Sequence, residues 1–168
     1  MKLKDTLGKP NISEYVTYKE ACYNPSYEAK GIDNTPNAEQ LAKLTKTATA
    51  ICDPVRKFAD CPVNFKMFRS PAVEKAQGRS GTSQHCKCEA TDITSLDKKK
   101  TTNAKIFQHI KSSVAFDQMI NEYPVNGEPS WVHVSWKETG NRGQILTCTK
   151  GKDGKPVYTA YKKGDCNE

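Results

Sequence analysis

Hydrophobic and polar positions repeat with two different periods along the chain, and the change of period divides it. From about Pro36 to Phe58, the apolar residues Leu41, Leu44, Ala48, Ile51 and Val55 recur every three or four positions. That is the stripe of a helix with one face on a core. Thr35 is the expected N-cap, with Pro36 at the first helical position. Pro54 lacks an N–H and predicts a kink or a restart inside the helix. Thr102 to Ser112 repeats the helical pattern with Ile106, Phe107 and Ile110 inward. A shorter helix is predicted over residues 70–77, with Ser70 as N-cap and Pro71 at N1. Residues 1–34 are polar and irregular, with a short helix expected at Asn11–Val16 capped by Asn11 or Ser13.

Elsewhere the period is two. Cys61–Phe68 places Val63, Phe65 and Met67 on one face. Glu89–Ile93 and Phe116–Tyr123 also predict strands. In Trp131–Trp136, Trp131, His133 and Ser135 fall on one face and Val132, Val134 and Trp136 on the other. Gln144–Thr149 and Val157–Tyr161 flank Asp153-Gly154 and read as a hairpin within residues 143–161. Helices come first, then strands mixed with short helices. This order predicts an α+β fold, an antiparallel sheet with flanking helices, in one domain spanning residues 1–168.

Composition narrows the function classes. A hydrophobic fraction of 36% and a charged fraction of 27% suit a globular chain with a well-solvated surface. No run approaches the ~20 apolar residues of a membrane span. Met1–Asn11 lacks an apolar segment, so no secretory signal is expected. The net charge of +7 favours polyanionic partners: nucleic acid, an anionic cell wall or acidic lipid. The lysines are scattered, however, and Lys98-Lys99-Lys100 has no interleaved aromatics, which argues against nucleic acid. The chain has seven cysteines, an odd number unevenly spaced, which argues against a disulfide scaffold.

The densest chemistry lies in Ser83-Gln84-His85-Cys86-Lys87-Cys88-Glu89-Ala90-Thr91-Asp92-Ile93. His85, on a loop entering a strand, can converge with Asp92 on that strand. His133 on a neighbouring strand would complete a three-ligand set with an open fourth position, the pattern of a catalytic zinc site. A rival set is His85, Cys86 and Cys88 around a structural zinc. Cys-x-Cys is not the usual zinc pair, and no matching second pair is present.

Taken together, Phe68-Arg69-Ser70-Pro71, Thr82-Ser83-Gln84-His85 and Glu89-Ala90-Thr91-Asp92-Ile93 resemble the Ser-x-His-x-x-Gly-x-Ala-x-Asp signature of the M15 zinc peptidases. That family includes D-alanyl-D-alanine carboxypeptidases and phage endolysins. Trp131-Val132-His133-Val134-Ser135 resembles its second histidine strand. Gly31-Ile32-Asp33-Asn34-Thr35-Pro36, Phe116-Asp117-Gln118 and Asn141-Arg142 fit the phage-type branch. The resemblance covers roughly residues 11–148.

It implies a hedgehog/DD-peptidase-like fold, one Zn2+ held by His85, Asp92 and His133, and hydrolysis of peptide bonds in bacterial peptidoglycan. The protein would be a phage-derived monomer, released to the wall from the host cytoplasm or carried on the virion. A carboxylate must move the proton from water to the leaving amine. Glu122, at the end of its strand, is the first choice, as hedgehog-like relatives also place a glutamate there. Glu128 is the second. Many members keep this acid three residues before the second histidine, where this chain has Ser130. Arg69 suits a substrate carboxylate, and Ser83 a hydrogen bond to substrate or ligand. The signature's glycine is replaced by Cys88, which brings a thiol near the metal. The alternative from another class is a non-catalytic zinc-binding, wall-binding or structural phage module on the same fold.

Overall fold

A computed structural model describes residues 11–22 and 24–168. The long amphipathic segment folds as three consecutive pieces. Two short helices precede it, α1 (Tyr18–Cys22) and α2 (Pro25–Glu28). Helix α3 (Ala38–Thr47) is followed by a π-helical turn over Ala48–Cys52 and then by α4 (Asp53–Ala59). The sequence predicts a disturbance at Pro54, and the π turn is its form. Proline's ring cannot tolerate the carbonyl one turn back, so the preceding turn widens. The start differs from the expected Thr35 cap. Asn37 caps α3, and Asn37 and Gln40 exchange hydrogen bonds in a capping box, satisfying two end donors at once. Thr35 instead donates its N–H to Asp33 Oδ1 at 2.8 Å.

Residues 11–16 do not form the expected helix. They make a bend whose amides and hydroxyl go to the Asp53 carboxylate, with Ser13 Oγ at 2.7 Å and the Tyr15 N–H at 3.1 Å. A side-chain anchor on α4 takes the donors that a helix would have used internally.

The strands are β1 (Val63–Lys66), β2 (Ala90–Ser95), β3 (Gln118–Glu122), β4 (Trp131–Ser135), β5 (Gln144–Lys150) and β6 (Pro156–Ala160). They form one sheet in the order β1-β2-β4-β3-β5-β6. Every neighbouring pair is antiparallel except β3 and β5, which run parallel. The exception follows from β4 turning back between β2 and β3. The chain must then cross the start of β3 to reach its far side. Two more helices, α5 (Pro71–Ala76) and α6 (Asn103–Ser113), sit between strands. Ser70 and Thr102 cap them through Val73 N–H and Lys105 N–H. The α+β fold with a largely antiparallel sheet is as the sequence predicts.

The alternation along each strand splits the sheet into two unlike faces. Val63, Phe65, Ile93, Val132, Val134 and Met119 point to one side and are buried. They join Leu44, Ile51 and Val55 from the long helical segment and Ile106, Phe107 and Ile110 from α6 in one core. Each such side chain contributes about 1.5–3 kcal/mol by leaving water. The opposite face carries Lys66, Asp92, His133, Ile120 and Glu122, and among the described residues no helix packs over its centre. Among the described residues, no helix is long and apolar enough to cross a membrane.

Candidate metal centre and cleft

Asp92 on β2 lies directly opposite His133 on β4, and His133 directly opposite Ile120 on β3. Opposed residues share a face, so register alone brings Asp92 and His133 together. His85 comes from the turn before β2. That turn closes through the Cys88 N–H to His85 O at 3.2 Å and the Glu89 N–H to Gln84 O at 2.9 Å. It reverses at Cys88, whose φ is 63°. This is the left-handed region, which any residue with a Cβ enters at a cost. A glycine at this point of the signature is thereby accounted for. Thr47 Oγ1 holds the Cys88 carbonyl at 2.8 Å, tying the turn to α3.

Hydrogen bonding fixes what the ligand atoms offer. His85 Nδ1 lies 2.7 Å from the Met67 carbonyl. A carbonyl only accepts, so Nδ1 carries the proton. Burial pushes the His85 pKa down, so the ring is neutral and Nε2 presents a lone pair. Nε2 is buried with no hydrogen-bond partner, although Asp92 Oδ1 is only 3.2 Å away. His133 Nε2 donates to Gln84 Oε1 at 2.9 Å. Its Nδ1 then faces the same Asp92 oxygen at 2.9 Å. Burial acts to raise the Asp92 pKa, but the two imidazoles outweigh it and hold the carboxyl well below the usual range. Two imidazole nitrogens, each ring held at its other nitrogen, therefore converge on one carboxylate oxygen. Acceptors arranged in this way fit a cation. Among the described residues, His85, Asp92 and His133 are grouped so that their ligand atoms all lie within 4.8 Å of one another.

Around this cluster is a set of polar supports. Arg69 Nη1 donates to Asp92 Oδ2 at 3.3 Å and its Nε to Glu74 Oε1, also at 3.3 Å. Arg69 thus holds the outer oxygen of Asp92 and leaves Oδ1 to the histidines. Ser83 Oγ also donates to Glu74 Oε1, so the expected helper serine engages a carboxylate rather than the cluster. Glu74 is fully buried on α5. Burial acts to raise its pKa, but bonds from Ser83 and Cys86 and the charge of Arg69 reverse the shift, leaving it below the usual value. One buried carboxylate therefore steadies two arms: Arg69, which reaches Asp92, and the Ser83-Gln84-His85 turn. Sequence reasoning missed both Glu74 and Gln84. Glu74 resembles any acid in the first turn of a helix, and its burial is visible only once α5 is docked.

The two candidate proton carriers part company. Glu122 stands on the cluster's face of β3, diagonal to His133 through the Ile120 pairing. It is buried, and burial raises its pKa. Glu128 is elsewhere. Its carboxylate accepts the Asn103 and Ala104 N–H groups at 2.9 and 3.2 Å, closing the N-terminus of α6. The structure does not bring Glu128 to the cluster. Nor does it assemble the cysteine set. Among the described residues, Cys86 and Cys88 join no group of converging ligand atoms, and burial raises both thiols, Cys88 to about 11.

Two cavities meet at the cluster. One, of about 860 Å³, extends over β1 towards α1 and is lined by Glu20, Asn64, Lys66 and Thr94. The other, of about 1000 Å³, extends over β3 and the β5–β6 hairpin and is lined by Gln84, Glu122, Leu146 and Tyr158. Arg69, His85, Asp92 and Trp131 line both.

The peptidase M15 family model matches residues 14–135. The chain belongs to the peptidase M15 family. No curated protein matches it. The matched span contains His85, Asp92, His133, Glu74 and Glu122, and it ends at the last residue of β4. Strands β5 and β6 lie beyond it, although they wall one of the two cavities.

Proposed function

We propose that this M15 peptidase is a zinc-dependent hydrolase of bacterial peptidoglycan stem peptides or their cross-links, of phage-lysin type. The observation that carries the metal assignment is the convergence of two imidazole nitrogens and a carboxylate oxygen. The edges of a tetrahedron with bonds of 2.0–2.1 Å are about 3.3 Å. The Nε2–Oδ1 and Nδ1–Oδ1 separations of 3.2 and 2.9 Å approach that value. Two imidazoles and a carboxylate are a donor set that suits zinc. When bound, zinc supplies Lewis-acid polarisation of the scissile carbonyl and makes water a stronger acid.

The chain's own residues supply the rest. Gln84 and the Met67 carbonyl fix the imidazole tautomers, which sets the direction of both nitrogen lone pairs. Arg69 and Glu74 orient Asp92. Glu122 is the assigned general base. Its raised pKa narrows the gap to neutral pH, which favours accepting a proton from water and returning it to the leaving amine. Trp131, common to both cavities, offers an apolar wall to the substrate backbone. The net positive charge of the chain favours approach to an anionic wall.

The test is digestion of purified peptidoglycan by the zinc-loaded protein, with and without chelator, the products being read by mass spectrometry. New chelator-sensitive fragments are expected from the native protein. Glu122→Gln should retain about one zinc per chain and lose about 10²–10⁴-fold in kcat. If no wall preparation yields a chelator-sensitive product, the peptidase assignment to this substrate is overturned. If Glu122→Gln is fully active, the base is a different group.

A further inference from the structure

We infer that the bond cut is internal to the substrate chain: the protein is an endopeptidase that binds peptide on both sides of the cluster, not an enzyme that trims one C-terminal residue. The inference rests on the peptidase reading above and deepens it. Three observations carry it.

The first is the shape of the cleft. The metal-binding cluster is at a junction, with cavities of about 860 and 1000 Å³ opening in opposite directions across the same sheet face. Each is by itself the size of a complete small-ligand site. A one-residue leaving group needs only a small, closed space on one side of the scissile bond. The second is the position of Glu122. The group that returns a proton to the leaving amine must be within reach of it, so the amine leaves towards β3. The leaving part of the substrate then occupies the cavity of Leu146 and Tyr158, the larger of the two.

The third is the state of Arg69. A C-terminal carboxylate is best held by a guanidinium edge with two free N–H groups. Arg69 is the arginine at the junction, and its Nε is on Glu74 and its Nη1 on Asp92. Each two-nitrogen edge therefore already has one nitrogen engaged. The remaining cations that line the larger cavity, Arg79 and Lys87, are exposed. Arg79 is thus the residue on which the opposite reading would depend.

The experiment uses the full zinc-loaded chain on purified cross-linked peptidoglycan and reads product masses and new amino termini. Release of fragments of two or more residues on each side of the new terminus is expected. Arg79→Ala should change kcat/KM by less than about threefold. Binding provides a readout independent of turnover. Cross-linked peptide dimers and uncross-linked stem peptides, purified from the same wall, are titrated into zinc-free protein with Trp131 fluorescence as the signal. The dimers, which reach both cavities, should bind at least tenfold more tightly. Asn64→Trp, placed in the smaller cavity on the edge strand, should remove that advantage at unchanged melting temperature; Thr94→Leu serves if Asn64→Trp does not fold.

Release of single amino acids alone, together with a large rise in KM for Arg79→Ala, would overturn the inference while leaving the peptidase reading intact. Equal binding of dimers and single stems would also overturn it. No cleavage of any wall would remove the peptidase reading and this inference with it.

Discussion

Two aspartates on the same sheet, one buried and one half-buried, show opposite electrostatic designs. Asp117, at the entry to β3, is surrounded by donors. Arg142 binds it through Nε at 3.0 Å, Nη2 at 2.7 Å and its backbone N–H at 3.2 Å, and Lys137 Nζ lies at 3.0 Å. These bonds, those of Arg142 foremost, lower its pKa to about 2. Asp92 Oδ1 faces two imidazole nitrogens at 3.2 and 2.9 Å, and its Oδ2 accepts a single bond from Arg69. The first aspartate is complete as it stands and fastens the 136–143 crossover to β3. The second sits in the one group of residues whose ligand atoms converge among the described residues. Charge enclosed by donors makes a structural joint, whereas charge set among open ligand atoms leaves room for a cation.

The contrast can be broken most severely at the ligands. His133→Ala should abolish zinc binding and activity, while Arg142→Ala should leave both in place; metal analysis of the purified variants checks this. Zinc at one hundred times its Kd should stabilise the native chain by about 2.7 kcal/mol and should not stabilise His133→Ala, as thermal melts would show. If Arg142→Ala also loses zinc, the two aspartates are not independent.

Next in size is the support behind Asp92. Glu74→Gln removes the charge that holds Arg69 and Ser83, and zinc affinity should fall about 10–100-fold in competition with a chromogenic chelator. Glu74→Asp should recover part of it. An unchanged affinity would reduce Glu74 to a packing residue.

Acid separates the two aspartates by stability. Asp117 has a folded pKa of about 2, below the ordinary value of 3.8. Its contribution is therefore full above pH 4 and is lost as pH falls from about 4 towards 2. After allowance for solvent around the half-exposed Arg142, it is about 1–2 kcal/mol. Asp117→Asn should remove that part of the acid dependence in urea melts. Activity should respond at higher pH. Burial raises the Glu122 pKa, and a base must be deprotonated, so kcat/KM should decline as pH drops through a value above 4.5.

The smallest effect is expected at Cys88. Cys88→Gly relieves the left-handed backbone, a gain of about 1 kcal/mol, against the loss of a buried thiol. Net stability should move by less than about 1 kcal/mol, with zinc binding retained. Cys88→Val, β-branched at φ 63°, should cost more.

What was legible in the sequence follows from the same physics. Strand alternation located Trp131, His133 and Ser135 on one face because the period of a strand is local. Spacing proposed His85, Asp92 and His133 as partners, and β2–β4 register brought the last two face to face. The cap at Ser70 was readable because a cap acts within one turn. Asn11–Val16 was misread as a helix because its donors go to Asp53, some forty residues away. The parallel β3–β5 pair depends on which strand returns where, and periodicity is silent on order. On paper Glu122 ranks ahead of Glu128 only by its place at a strand end. Only the fold sends one to the cleft and the other to the end of α6.

The β5–β6 hairpin lies outside the matched segment, and all five residues of β6 are exposed. It pairs with the rest of the sheet along one edge of β5, yet it supplies Leu146, Pro156 and Tyr158 to the cleft wall. The ligand cluster and part of the cleft wall are therefore carried on separate lengths of chain. A wall residue such as Tyr158 can therefore be exchanged without altering the strands that carry Asp92 and His133.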